Sequence, residues 1–424
     1  MSTLPFPVNG PKPPQVSQDN IPRISWQSIF RSNGFNTCGN PQRFGRSLVF
    51  KLRQPNRDRL LVLKLATTSD NPQDLAREAS WMTFFQKGQC DFEPRFNIPI
   101  PLQIKNARVF RVKEMPDSLL DLTGIHSARY AIGFVAHRDY FVYPNDAAAG
   151  QKISDPQFKE IMLRNAWLLG KLASLGIVHS APIPLFHNRV QAGRRNDHGL
   201  YLWFRAGRLD RWLDSFAYPN LGPTGIRDFE HFVAFSDWHR HLYRHIGNHL
   251  LSLLLVTGSY FRNKNPSLVG LDKCGNPVDA RCLFEQNTLR EIVKGVFTNY
   301  YHGFTGMAFC DSLPFDLDRL IRRMIDEMGV DRHMVEILRV ADQKVMTDKA
   351  FCRFLCERGY DRQKIHRMEK GAKDIVINSG PHLGEFNHTI SLPEIIDSVG
   401  SVSALCMAGR YQKENAPHLC EGYN

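Results

Sequence analysis

The chain predicts an α+β fold in which a small strand-rich lobe precedes a larger helical one. Three stretches carry that expectation. Ser47–Leu52 and Leu60-Leu-Val-Leu-Lys64-Leu65 are mainly apolar runs separated by the turn-forming Asn56–Arg59, which reads as strand, turn, strand. Between Asp155 and Leu175, apolar residues recur at helical spacing: Phe158, Ile161, Met162, Leu168, Leu169 and Leu172. Residues 285 to 375 keep such stripes, as in Leu317, Leu320, Met324 and Met328.

Composition narrows the class of partner. A formal charge of +12 favours anions such as a nucleotide or an acidic protein. Nucleic acid is disfavoured, because Lys and Arg are scattered and no long basic run appears. The nine Cys are odd in number and form no C-x-x-C pair, so neither a zinc ribbon nor a full disulfide set is indicated. A reducing compartment fits them. The amino terminus lacks a charged segment followed by an apolar one, and the longest mainly apolar run, Leu250 to Val256, is too short to span a bilayer. The expectation is a soluble cytoplasmic protein, or one secreted as an effector without a classical signal.

Residues 1–24 hold Pro5, Pro7, Pro11, Pro13, Pro14 and Pro22 among polar residues and read as an extended, disordered arm. The small lobe is expected over residues 25–143, opening with a short helix at Trp26–Arg31. Gly34, Gly39 and Gly45 punctuate a loop before the strand at Ser47, and its Arg43 and Arg46 are placed to meet phosphates, although exposed loop arginines are commoner. Fourteen residues after Lys64 comes Glu78, in a stretch Ala76–Phe85 that reads as a helix. A glycine-bearing loop, two strands, a strand lysine and a helix glutamate are how protein kinases cover ATP and clamp the lysine that reaches its phosphates. An ordinary strand-end lysine is the simpler alternative. Residues 98–114 and 130–143 supply the remaining strands, with Ala131–Ala136 leading into a hinge at His137–Asp146.

The helical lobe is expected over residues 144–300. Asp155 can cap a helix from about Gln157 to Leu175, Gly176 stops it, and Ile177-Val178-His179 comes next. A kinase would then show Arg and a catalytic Asp; here Ser180 and Ala181 stand instead, and no carboxylate appears before Asp197. Residues 180–217 form an insert of about forty residues where a kinase needs a handful. Its Arg194 and Arg195, among other basic and aromatic residues, make it a candidate second anion pocket or a surface excursion meeting water. The insert leads to Tyr218-Pro-Asn220 and then Asp228-Phe-Glu230, with Gly222, Pro223 and Gly225 turning between them. An amide oxygen at Asn220 and a carboxylate at Asp228 suit a Mg²⁺ that bridges nucleotide phosphates, or are simply turn formers. A helix through Tyr243, Ile246, Leu250, Leu251 and Leu254 then leaves no room for a long activation segment. Residues 301–424 read as a helical extension, in which Phe351–Lys370 is basic and partly amphipathic.

In combination these features resemble the SidJ-like pseudokinases, whose best-known member is a bacterial effector that glutamylates other proteins. The resemblance rests on Lys64 with Glu78, on His179 without a following catalytic Asp, on the long insert, and on Tyr218-x-Asn220 with Asp228. It covers roughly residues 30–260. It implies ATP and Mg²⁺ as cofactors, adenylylation of a carboxylate on an acceptor protein, and displacement of AMP by a free amino acid such as glutamate. It also implies a protein activator, although no IQ motif is visible here. By resemblance His179 and Tyr218 line the second pocket, where the amine attacks. Two other classes compete. A small-molecule phosphotransferase of the aminoglycoside-kinase type would keep the Asp that Ala181 replaces. A dead nucleotide-binding scaffold would not need Lys64, Glu78, Asn220 and Asp228 intact.

Overall fold

The computed structural model describes residues 10–11, 21–31, 36–37, 41–44, 47–53, 58–66, 72–88, 92, 95–115, 129–144, 153–183, 219–234, 245–247, 249–250, 252–254, 256–257, 260, 286–309 and 406. It is an α+β protein whose chain divides into two units. The first comprises Asn9–Phe141 with Pro223–Phe232; the second comprises Met1–Val8, Val142–Gly222 and Val233–Asn424.

The first unit is built on one mixed sheet. Its strands are β1 (Arg23–Ser25), β2 (Asn36–Thr37), β3 (Gln42–Phe44), β4 (Ser47–Arg53), β5 (Arg59–Ala66), β6 (Ile100–Pro101), β7 (Val109–Lys113) and β8 (Arg129–His137). The order is β1-β7-β8-β5-β4-β2, with β3 also on β4 and β6 also on β8. All pairs are antiparallel except β1 with β7. Central β5 is buried on both faces from Leu60 to Leu65, which explains why it reads as a continuous apolar run rather than an alternating one. Trp26 and Ile29, from the helix Trp26–Arg31, pack with Phe50, Leu63, Leu65, Phe110 and Val112.

The second helix of this unit, Pro72–Lys87, starts a turn earlier than the apolar pattern suggests. Proline is at ease at a first helical position, because its fixed φ suits the helix and its missing N–H has no partner there. Leu75, Ala79, Met82 and Phe85 form the buried stripe. Phe85 lies at the centre of an aromatic cluster, its ring centroid 5.5 Å from Phe96, 5.9 Å from Phe229 and 4.8 Å from Phe232.

Two local expectations for this unit need correction. The arm does not extend to residue 24: Ile21 is buried, Arg111 donates its backbone N–H to the Pro22 carbonyl, and Arg23–Ser25 is an edge strand. An edge position tolerates the nearby proline that composition alone assigns to the arm. The glycine-punctuated stretch before Ser47 is not simply loop either, since β2 and β3 both pair with β4.

In the second unit the helix Asp155–Ser174 packs along Gln286–Thr305. The helices meet at glycines. A Cβ on Gly170 would strike the Tyr300 carbonyl, and one on Gly303 the Trp167 carbonyl, so only hydrogen fits at either point. The cap of the first helix is Ser154 rather than Asp155, in a capping box with Gln157. The Asp155 carboxylate is engaged elsewhere, accepting from the Tyr260 hydroxyl at 2.7 Å. Gly176, at φ 74°, turns the chain out of the helix into Ile177–His179. Ile246, Leu250 and Leu254 are helical and buried as expected. The stripe Leu317–Met328 and the segment Phe351–Lys370 lie outside the described residues. Among the described residues, no helix is long and apolar enough to cross a membrane.

Candidate functional site

The first unit brings together one lysine, three carboxylates and a histidine. Lys64 sits on β5, opposite Val49 of β4 and Ile132 of β8. Glu78 comes from the second turn of helix Pro72–Lys87, on its buried side. Asp228, Glu230 and His231 arrive on Pro223–Phe232, a segment fixed at several points. Asn97 donates its backbone N–H to the Thr224 carbonyl at 2.9 Å. The buried Arg227 donates Nη1–H to the Tyr140 carbonyl at 2.9 Å. Phe229 and Phe232 enter the aromatic cluster around Phe85. Asp228 itself adopts a left-handed backbone, φ 59° and ψ 64°. That conformation is costly for most residues with a side chain and concentrates at functional positions.

Lys64 Nζ lies 2.8 Å from Glu78 Oε2, 3.3 Å from Asp228 Oδ1 and 3.3 Å from Glu230 Oε2. His231 Nε2 lies 3.3 Å from Asp228 Oδ2 and 3.4 Å from Glu230 Oε1. Negative charge therefore exceeds positive charge in a mostly buried place. Burial alone would depress the Lys64 ammonium, but Glu230, Glu78 and Asp228 outweigh it and hold its pKa well above the ordinary value. Burial raises the Glu78 carboxyl to about 7, with Lys64 opposing and Glu230 and Asp228 adding to the shift. For His231, burial is overcome by Asp228 and Glu230, and its pKa rises.

These shifts set a pH dependence. A carboxyl raised in the folded state holds a proton that the unfolded chain releases. The Glu78 contribution is thus fully present below about 4.5 and lost as pH rises to about 7. The stability of the native protein relative to Glu78→Gln is expected to fall across that window, as read by urea unfolding at a series of pH values. A difference that stays flat or grows with pH would count against the assignment.

Of the residues singled out in the sequence, Lys64, Glu78 and Asp228 meet in this cluster. Asn220 and His179 belong to the second unit. There the Asn220 backbone N–H donates to the Pro182 carbonyl at 2.8 Å, and its Nδ2 donates to the Ala181 carbonyl at 3.0 Å. The first residues of the insert are thereby tied to Asn220, just past its end. His179 is wholly buried, and its carbonyl is 3.0 Å from Nε2 of the buried His249. Burial first, then neighbouring His245, keeps His249 well below the usual pKa, hence neutral. Of Arg43, only the backbone, in β3 opposite Leu48, is described. Arg46, Arg194, Arg195 and Tyr218 lie outside the described residues.

Glu230 and His231 are the members of the cluster to which the sequence alone assigned no role. The available signal was an Asp-x-Glu-His run beside a candidate metal ligand. The Asp228 and Glu230 carboxylates and the His231 imidazole each offer a ligand atom, all within 4.8 Å of one another. Two carboxylates with an imidazole suit a divalent cation, and the lysine beside them suits an anion. No family model and no curated protein matches the chain.

Proposed function

We propose that this protein is an ATP- and Mg²⁺-dependent ligase on a protein-kinase-like two-lobed fold. It adenylylates a carboxylate of an acceptor protein and joins a free amino acid, such as glutamate, to it. The observation that carries this reading is the buried Lys64–Glu78 pair at 2.8 Å, whose lysine also reaches Asp228. Strand, strand, helix and strands before a long buried helix is the matching element order.

The choice of reaction rests on the two residues after His179. Ser180 and Ala181 are both buried, and neither can serve as a carboxylate base. Moving phosphate to a hydroxyl depends on such a base. A carboxylate acceptor is already ionised near pH 7 and needs none. Its oxygen would bond to the α-phosphorus while the bond to the β-phosphate oxygen breaks and pyrophosphate leaves. The amine of the incoming amino acid would then attack the acyl carbon. AMP departs with the bonding pair, and the amine proton goes to solvent. The Lys64 ammonium stabilises charge on the phosphate oxygens, and Glu78 holds that ammonium in place. The Asp228 and Glu230 carboxylates are the oxygen donors that would hold Mg²⁺ here, and a bound divalent cation would supply further neutralisation of the phosphates.

Incubation with ATP labelled at the α- or the γ-phosphate tests the reading. Label from the α position is expected on protein and should be released as AMP once the right amino acid is added. Stable γ-label on Ser or Thr would make the protein a kinase and overturn the ligase assignment.

A further inference from the structure

If Lys64 receives phosphate, as proposed above, its three carboxylate partners stand in the way. An ammonium has three N–H donors. Glu78, Asp228 and Glu230 supply one acceptor for each, at 2.8, 3.3 and 3.3 Å. A phosphate oxygen can therefore reach Lys64 only if a carboxylate withdraws. Glu78 has nowhere to go, its side chain being 2% exposed on a packed helix. Asp228 is short, and its backbone is held between the anchored Arg227 and Phe229. The Asp228 and Glu230 side chains are about equally exposed, at 22% and 24%, and it is the extra rotatable bond of Glu230, on the short turn Phe229–His231, that lets it swing aside.

We propose that Glu230 is an internal anion standing where a substrate phosphate binds Lys64, and that it sets the form of phosphoanion the site accepts. When Glu230 gives up Lys64, its own charge loses a partner beside Asp228. A bare polyphosphate replaces one anion with another and leaves Glu230 to share His231, 3.4 Å away, with Asp228. A polyphosphate carrying a divalent cation restores both balances at once. Glu230 thereby selects the metal-chelated form of the substrate over the free form.

The test is calorimetric titration of the full chain with two probes, a non-hydrolysable ATP analogue and inorganic tripolyphosphate, each in excess EDTA and in Mg²⁺. Glu230→Gln keeps shape and removes charge; Glu230→Ala repeats the test with the side chain gone. In EDTA both variants are expected to bind the probes about tenfold more tightly than the native protein, the scale of one partly buried charge contact. In Mg²⁺ the gap should narrow. Unchanged or weaker binding in EDTA, or a gap as wide in Mg²⁺ as in EDTA, by variants that melt like the native protein overturns the inference. Lys64→Met, titrated at a temperature where its melting curve shows it folded, separates the two readings. If it abolishes binding while Glu230→Gln gains nothing, only the role of Glu230 fails. If Lys64→Met leaves binding intact, or nothing binds any of these proteins, the phosphate site at Lys64 fails and the inference with it.

Discussion

Lys64→Met is expected to lower unfolding stability by about 3–5 kcal/mol at neutral pH, the usual cost of breaking a buried ion pair by removing one partner. The variant would leave Glu78, Asp228 and Glu230 converging on a methyl group. Glu78 cannot escape to water, with a side chain only 2% exposed. The loss should shrink on acidification, because protonated carboxyls no longer need the missing cation. Urea unfolding at pH 5 and pH 8 distinguishes this from simple repacking, which would cost the same at both. A loss under about 1 kcal/mol at pH 8 would mean that the cluster is solvated and the pair carries little, as exposed pairs do.

Asp228→Asn is expected to behave in the opposite way, sparing the fold and removing the chemistry. It deletes one of three carboxylates around Lys64 and leaves Glu230 beside both Lys64 and His231, so stability should hold. Asparagine also tolerates the left-handed backbone at φ 59°, whereas alanine would add a strain unrelated to charge. Transfer of α-label to protein should drop by about 100- to 1000-fold, the scale seen when one preorganised electrostatic group is lost. Transfer within tenfold of native, in a variant that unfolds normally, would remove Asp228 from the proposed site.

Much of the first unit, and the long helix of the second, was legible because the signals are local. The β4–β5 pair, the helix after it and the long helix at Phe158–Leu172 come from apolar spacing. The Lys64–Glu78 pair comes from the kinase order of a strand lysine followed by a helix glutamate fourteen residues on. Other features depend on tertiary context. Arg23–Ser25 is too short and too close to proline to read as a strand without Val109–Lys113 beside it. Ser154 and Asp155 are equally good caps by type; the Ser154-x-x-Gln157 capping box favours the first locally, and Tyr260, more than a hundred residues away, engages the second. Glu230 and His231 look like residues trailing a ligand until Pro223–Phe232 is seen docked against Lys64. Nothing local marks that ten-residue stretch as belonging with residues that precede it by more than eighty positions.

That excursion has a consequence for how the protein is made. Synthesis proceeds from the amino terminus, and domains fold as they emerge. The sheet and the helix Pro72–Lys87 can form early, yet Phe229 and Phe232 complete the aromatic cluster around Phe85 only after the helix Asp155–Ser174 and the insert have left the ribosome. Until then Phe85 and Phe96 lack part of their cover, and Lys64 has Glu78 but neither Asp228 nor Glu230. The nascent chain therefore spends that interval with an unfinished apolar surface, a natural point for chaperone capture. A fragment ending at Phe141 would carry the same unfinished surface permanently.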